Sequence, residues 1–335
     1  MAGQTTLTGE GAFDFVTRDA INDMFTDLYG GFILSLGRLI YLNPVNGDDT
    51  KIGESPSTAV QTLSRAYALA TAGKNDTIVL LGDGSTTATA RVDAAFTWAK
   101  NATHLIGVSS GVNISNRSRI APTSSTTAFA NFFTVSASGC LFKNIQWFHG
   151  FATGTTAAIC LTISGGRNLF ADCHIAGLGD DEAAQSATSR SLKISTTGEN
   201  TFLRCTIGID TVTRTVANAS VEFAGGCPRN QFIECIFPFM TSSADVLGIK
   251  VAATAGSDRF QTFVRCQFLN AVKSTSTAMT GLANLAASMG GMLVFTYSTC
   301  VGITKWGNDA TSLAQCYVDG APPTAATSGL AVNPT

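Results

Sequence analysis

One short pattern recurs at nearly constant intervals through the middle of this 335-residue chain. It reads Phe-x-x-Cys with an apolar residue two places further on, and its cysteines are Cys173, Cys205, Cys235 and Cys266. Successive cysteines are 32, 30 and 31 residues apart. A fixed period of this length is typical of chains that build their core by stacking copies of one unit. The repeat therefore constrains the fold more than any other feature of the sequence.

A second pattern lies ahead of each copy and alternates apolar, polar and apolar residues. Alternation with a period of two predicts strands that bury one face. Two strands per unit, joined by Gly- and Asn-rich turns, predict a coil that rises by one strand spacing per turn. The tripeptides are Phe133–Val135, Leu161–Ile163, Leu192–Ile194, Val221–Phe223 and Ile249–Val251. Weaker copies of the first pattern begin at Phe142 and Leu313, with a predicted insertion at residues 270–300 before the last one.

The alternation places the four repeat cysteines on the inner face of the coil, where a thiol behaves as a small apolar group. We expect them to form one column, each sulfur above the next. The same alternation turns the preceding phenylalanines outward, so we expect the chain to bend just before each of them. The odd number of nine cysteines, their long spacing and the lack of a Cys-x-x-Cys motif argue against disulfides and zinc sites.

Outward positions test this alignment independently, because like charges on adjacent turns repel each other. Two columns alternate in sign: Asp172, Arg204, Glu234, Arg265 and Thr162, Lys193, Glu222, Lys250. Exposed ion pairs of this kind specify register more than they stabilise. A third column, predicted to occupy a turn with left-handed backbone, is made of amides: Asn168, Asn200, Asn230 and Gln261.

Composition argues against several classes of partner. Charged residues make up 13% of the chain, the net charge is −2 and the pI is near 5.9, so no basic face is available for nucleic acid. The apolar stretch Phe32–Leu42 contains Arg38 and is too short to span a bilayer. Glu10 and Asp14 before it do not fit a secretory leader. We therefore expect no nucleic-acid partner and no membrane association.

The start of the coil carries motifs of a known fold family. Residues 57–72 are predicted to form an amphipathic capping helix that ends at Gly73. Together with Ile40–Pro44, Gly47–Asp49 and Asp76–Leu80, this stretch resembles the entry and capping helix of pectin-lyase-like β-helices. Such folds occur in polysaccharide lyases, bacteriophage tailspikes and tailspike-like capsid proteins. The resemblance implies an all-β fold, a single-stranded right-handed parallel β-helix with an N-terminal helix and a capping helix.

The predicted organisation has three parts, with an anchor segment at residues 1–39, the β-helix at 40–318 and an extended tail at 319–335. The anchor includes a predicted helix at 17–30 and looks like the short attachment arms of phage virion proteins. A helix that simply packs on the first turn is the alternative. The tail has little to bury, so we expect a neighbouring subunit to hold it. The predicted partner-docking residues of the anchor are Phe13, Phe15, Ile21, Met24, Phe25 and Leu28.

No pattern in the sequence predicts a catalytic, cofactor or metal site. Asp172 and Glu234 are interpreted as ladder partners and not as a catalytic carboxylate pair. The histidines show no triad pattern and are predicted to have surface or capping roles. The tryptophans could stack on sugars, but the two that lie in repeat patterns are predicted to belong to the core or its edge. The residues concerned are His104, His149, His174, Trp98, Trp147 and Trp306. An acidic run is a candidate loop for a cation or a glycan, with a solvated loop tip as the alternative: Asp180, Asp181 and Glu182.

The favoured functional hypothesis is a bacteriophage virion structural protein. It would be a non-enzymatic, tailspike-like capsid decoration or head-fibre subunit, assembled as a homotrimer and bound to the major capsid protein or other virion proteins. The alternative is a receptor-binding tailspike that depolymerises a host surface glycan. A third hypothesis is a secreted bacterial lyase or adhesin. Whether the chain is an enzyme stays open at this point, and no cofactor is predicted.

Overall fold

A computed structural model describes residues 37–83, 85, 88–109, 113–123, 129–150, 158–270, 277–287 and 289–319. Within these ranges the chain winds as a parallel β-helix in which strands one turn apart pair in parallel, for example Leu161 with Leu192 and Phe170 with Phe202. The strands form three sheets. The prediction of an all-β parallel β-helix is confirmed, but the prediction of two strands per turn is wrong, because a full turn contributes one strand to each of three sheets.

Each turn passes from the third sheet to the first, then to the second, and back to the third. The first sheet consists of Leu39–Leu42, Thr77–Leu80, His104–Gly107, Leu141–Lys143, Leu169–Ala171, Thr201–Leu203, Cys227–Pro228, Gln231–Ile233, Ser257–Val264, Gly290–Thr296 and Cys316–Val318. The second sheet consists of Thr89–Val92, Arg119–Pro122, Gln146–Phe148, His174–Ala176, Thr206–Ile207, Ile236–Phe239, Gln267–Asn270 and Thr299–Val301. The third sheet consists of Phe96–Trp98, Asn131–Val135, Ile159–Ile163, Arg190–Ile194, Ala219–Phe223, Leu247–Val251 and Ala283–Leu285.

The helices are short, and the capping helix is shorter than predicted. Val60 pairs with Leu42 as an isolated bridge, so the chain is extended inside the predicted helix at 57–72. The helix begins only after Thr62, whose hydroxyl accepts a hydrogen bond from the Arg65 backbone at 3.1 Å. Within the described ranges, none of the helices has the length and apolar character needed to span a bilayer. They are the 3-10 helix Pro56–Thr58 and the α-helices Leu63–Leu69, Asp181–Ala184 and Ala310–Leu313.

A column of stacked phenylalanine rings runs through the interior. All of its members are fully buried, and successive ring centroids are 4.8, 4.9, 4.6, 4.7 and 5.0 Å apart. The expectation that these side chains point outward is therefore wrong. Parallel in-register pairing places each ring directly over the next, which buries a large apolar surface on every turn. The column consists of Phe142, Phe170, Phe202, Phe232, Phe263 and Phe295.

The bend that brings both Phe and Cys inward lies between them, not before the phenylalanine. On the turns from Phe142 to Phe295, the two-residue connection from the first sheet to the second begins with one residue in left-handed backbone, with φ values from 50° to 55° at the four central positions. A single left-handed residue redirects the chain, so residues three apart can face the same interior. The four residues are Asp172, Arg204, Glu234 and Arg265, the first predicted charge column.

The repeat cysteines form the predicted column and are buried. Each thiol donates to the carbonyl of the phenylalanine on the preceding turn, as Cys205 does to Phe170 and Cys235 does to Phe202, both at 3.3 Å. The next place in the column is taken by Ser298, whose hydroxyl accepts from the Cys266 backbone at 3.1 Å. The predicted insertion at 270–300 is thus wrong, since these residues include a further turn of the coil. Cys316 lies one turn later, in register with Leu293.

The amide column is also confirmed, and its members are fully or almost fully buried. Asn168 Nδ2 donates to Asn200 Oδ1 at 3.1 Å, Asn200 Nδ2 donates to Asn230 Oδ1 at 3.1 Å, and Asn230 Nδ2 donates to Gln261 Oε1 at 2.9 Å. Left-handed geometry belongs to the residue before each asparagine and not to the asparagine itself. The residues with positive φ are Arg167, Glu199 and Arg229.

These left-handed residues make a charge ladder that was not predicted. Glu199 forms ion pairs with Arg167 at 2.8 Å and with Arg229. The predicted ladder is present as well, because Arg204 binds both oxygens of Asp172 at 2.7 and 3.2 Å and Arg265 binds Glu234 at 2.7 Å. Charges of opposite sign therefore alternate along two corners of the coil.

Replacing Arg204 by Glu is expected to lower the melting temperature modestly. The change removes a bidentate ion pair and places a third carboxylate between Asp172 and Glu234. Because the Arg204 side chain is 43% exposed, we expect a loss of about 1 kcal/mol. Backbone strain should not contribute, since Glu234 occupies the equivalent place with φ of 55°. Thermal melts of Arg204→Glu and the neutral control Arg204→Gln at low and high salt measure the effect, and an unchanged melting temperature would argue against the ladder.

Candidate functional site

Two cavities lie along the outer face of the third sheet. The first, called the trough below, has a volume of about 350 Å³, and the second has a volume of about 330 Å³. The loops that lead from the second sheet into the third sheet form one wall. The first cavity is lined mainly by Asn131, Thr188, Arg190, Lys193, Glu222 and Lys250, and the second by Ala217, Asp245, Thr280, Gly281, Asn284 and Asn308.

The first cavity contains the second predicted charge column. Lys193, Glu222 and Lys250 lie in register on three successive strands, which confirms their alignment. The ion pair, however, is made by Arg190, whose Nε lies 2.6 Å from Glu222 Oε2. Arg190 is only 3% exposed and also donates to the carbonyls of Ala187 and Ser189. Sequence alignment alone missed Arg190 because its side chain reaches across from the edge of the strand.

The trough is positively charged, since it holds three cations and one carboxylate. Lys193, Glu222 and Lys250 are each partly buried. Burial, and then the charge of Arg190, lower the pKa of Lys250 below its ordinary value. Both effects disfavour the charged form of Lys250, so an anionic group placed in the trough would gain electrostatic stabilisation.

The predicted acidic loop lies at the corner between the second and third sheets. Asp180 caps the short helix Asp181–Ala184, and its carboxylate accepts a hydrogen bond from the Glu182 backbone at 2.9 Å. The side chains of Asp181 and Glu182 are exposed. Among the described residues, no group of three or more His, Cys, Asp or Glu side chains is arranged to hold a metal ion. A cation or glycan at this loop stays a prediction.

Ion pairs keep the outward carboxylates of the ladders deprotonated. Burial raises the pKa of Asp172, but hydrogen bonds from Arg204 and Lys143 outweigh it and keep the pKa below its ordinary value. Hydrogen bonding to Arg229 is the main cause that lowers the pKa of Glu199. A general acid needs the opposite shift, because it must carry a proton near neutral pH. The interpretation of Asp172 and Glu234 as ladder partners agrees with their ion pairs.

His174 is buried, which corrects its predicted surface or capping role. Its Nδ1 accepts from the Ser115 backbone at 2.9 Å and its Nε2 lies 2.9 Å from the Gly208 carbonyl, so the ring is neutral with the proton on Nε2. Burial lowers the pKa of His174 to about 4. His149 is also buried, stacks on Phe132 with ring centroids 5.3 Å apart, and has its pKa lowered by burial to about 3.

Acid is expected to destabilise the protein through His174 in the window between pH 6.5 and about 4. Over this range the unfolded chain binds a proton that the folded chain does not, so stability is complete above pH 6.5 and is lost as the pH falls toward 4. The full effect corresponds to about 3 kcal/mol. Urea unfolding across the window should show a smaller pH slope for His174→Gln, and equal slopes in the two proteins would contradict the assignment. His149 and the carboxylates with a lowered pKa, such as Asp172 and Glu199, supply the residual slope.

The other predicted site residues have structural roles or lie outside the described part. Trp98 and Trp147 are buried in the core, as predicted, and Trp306 is buried as well. The His104 ring accepts a hydrogen bond from the Leu141 backbone at 3.0 Å. The predicted docking residues of the anchor lie outside the described residues, namely Phe13, Phe15, Ile21, Met24, Phe25 and Leu28.

The three parallel sheets, the interior stacks and the capping helix define the class, which is the pectin-lyase-like right-handed parallel β-helix. Pectin methylesterase PemA from Erwinia chrysanthemi superposes with a TM-score of 0.52 over 81% of this chain and 80% of that chain, at 16% identity. Pectate lyase Pel9A superposes with a TM-score of 0.53 over 85% of this chain and 68% of that chain, at 15% identity. Such low identities show the fold alone. No protein-family model and no curated protein matches the sequence.

Proposed function

We propose that this β-helix is a non-enzymatic structural protein of a bacteriophage particle, a tailspike-like capsid decoration or head-fibre subunit. It would assemble as a homotrimer and contact the major capsid protein or other virion proteins. The observation that carries the proposal is the coupling of outward charges from turn to turn. Four outward carboxylates each pair with an arginine on a neighbouring turn, namely Asp172, Glu199, Glu222 and Glu234. Paired carboxylates of this kind suit a rigid structural rod better than a surface that performs acid–base chemistry.

A receptor-binding tailspike is the second candidate, and the cationic trough favours it. Arg190, Lys193 and Lys250 offer hydrogen-bond donors and positive charge to an acidic host glycan. Cleavage of that glycan would also need a proton donor at the bond that breaks. The pectin enzymes that share the fold act on pectin according to their names, and at 15 to 16% identity their chemistry is no guide to this chain.

The test combines location with activity. Gold-labelled antibodies against the chain are expected to decorate intact virions at regular sites on the head or tail. The purified protein is expected to release no reducing ends from host capsule or lipopolysaccharide. Depolymerisation of either polymer, or absence of the chain from purified particles, would overturn the proposal. If cleavage is found and is lost when Asp180–Glu182 are changed to their amides, the second candidate is supported.

A further inference from the structure

Within the part of the chain that the structure describes, the trough carries more positive than negative charge. Glu222 pairs with Arg190, and among the described residues neither Lys193 nor Lys250 has a salt-bridge partner. Both lysines are partly buried on the outer face of the third sheet. Because a partly buried cation loses hydration, an anionic partner that supplies hydrogen-bond acceptors stabilises it. The occupant of the trough should therefore be acidic.

The same chain presents one exposed acidic loop, Asp180–Glu182, at the corner beside the trough. Within the described part of a single chain, no ion pair joins this loop to the trough. The loop and the trough are complementary in charge, because Asp181 and Glu182 are exposed on the loop while the trough holds Lys193 and Lys250 beside the Arg190–Glu222 ion pair.

We propose that the acidic loop of one copy docks into the trough of the next, so that three chains close a ring around an axis parallel to the β-helix. The inference rests on the proposed homotrimer and names its interface. Since the two patches differ, the contact is heterologous, and each chain gives its loop to one neighbour and its trough to the other. A two-fold dimer would instead need a single self-complementary patch.

The height of the two patches along the coil is what allows the ring to close. The loop leads directly into the strand Arg190–Ile194, which carries Lys193. The helix that follows Asp180 is tied to the next turn by Asn218, whose Nδ2 donates to the Ala184 carbonyl at 2.7 Å, and Asn218 precedes the strand that carries Glu222. Loop and trough thus share the same turns. A heterologous contact forms a ring only if its rotation closes and it has no axial offset, whereas an offset produces a filament.

Charge reversal of the purified full-length chain tests the interface. Light scattering should give the mass of three chains for the wild type. The trough variant Lys193→Glu/Lys250→Glu and the loop variant Asp181→Lys/Glu182→Lys should each weaken association by at least about tenfold, because like charges then face each other. The variant that carries all four changes should associate again. Circular dichroism melts verify that each variant is folded.

The matched control is the exposed pair Lys74→Glu/Glu54→Lys near the N-terminal end of the coil, which should leave the three-chain mass unchanged. A single-chain mass for the wild type, or a three-chain mass that survives both reversals, would overturn the interface. If the wild type is a single chain and binds heparin through Lys193 and Lys250, the occupant is a polyanion and the inference is wrong. None of these outcomes decides whether the chain is part of a particle, which the labelling experiment tests separately.

Discussion

Replacing Phe202 by Ala is expected to lower the free energy of unfolding by about 3–5 kcal/mol. The ring is fully buried and stacks on Phe170 at 4.9 Å and on Phe232 at 4.6 Å. Truncation removes the transfer free energy of the ring and leaves a cavity between two turns. Parallel pairing of Thr201–Leu203 on both sides prevents the backbone from closing that cavity.

Urea unfolding monitored by circular dichroism measures this loss, and Phe202→Leu is the control. Leu keeps most of the buried volume, so we expect it to cost less than half as much as Ala. In a solenoid each turn contacts only its neighbours, so a gap at the middle turn should also broaden the transition. A loss below about 1 kcal/mol for Phe202→Ala would show that the interior stack does not hold adjacent turns together.

Replacing Asn200 by Leu is expected to lower the free energy of unfolding by about 2–5 kcal/mol, although the two side chains are similar in size. Asn200 Oδ1 accepts from the backbone and side-chain nitrogens of Asn168, both at 3.1 Å, and Asn200 Nδ2 donates to the Gly165 carbonyl at 3.3 Å. Leu leaves the Asn168 backbone donor and the Gly165 acceptor buried without these partners. The desolvation of such groups accounts for most of the loss.

The control for the amide column is Asn46→Ala, which removes an exposed asparagine side chain. It should change stability by less than about 0.5 kcal/mol. Chemical denaturation of both variants at neutral pH gives the comparison. Equal stability of Asn200→Leu and wild type would mean that buried water or backbone shifts satisfy the freed groups, and that the amide column contributes little.

The stacking of turns could be predicted from the sequence because equivalent residues recur at a constant interval. Cys205 over Cys173, Arg204 over Asp172 and Asn200 over Asn168 all follow once the interval is known. In-register parallel pairing then converts sequence distance into vertical neighbours. Charge alternation confirms the register, since a slip by one turn would place like charges together.

The path of the chain within one turn could not be predicted in the same way. The left-handed bend falls on Asp172, Arg204 and Glu234, residues that give no turn signal of the kind glycine provides. A strand that alternates with a period of two through the bend would point Phe170 outward, which is why alternation predicts the wrong direction. The Phe-x-x-Cys segment contains two strands, one on each side of the bend, so alternation alone does not reveal the third strand of each turn.

The aligned charges of the trough, Lys193, Glu222 and Lys250, could be predicted from the repeat, but its walls could not, because they come from connections between the sheets. Arg190 precedes the aligned tripeptide that contains Lys193, so its pairing with Glu222 depends on side-chain reach and not on register. The burial of His174 does not follow from the repeat, because it depends on a distant segment at Ser115 that covers the outer face of its strand. Contacts of this type depend on how loops fold back over a sheet, which repeats do not encode.

The spacing between the turns of this coil is constant although the connections between its strands differ in length. The segment from the amide through the bend into the second sheet has the same spacing in its four central copies, while the connections into and out of the third sheet differ in length. A peptide grafted into one of those connections would thus stand at a fixed level. Two grafts on different turns would be separated by multiples of about 4.8 Å, which would make the protein a ruled scaffold for presenting epitopes.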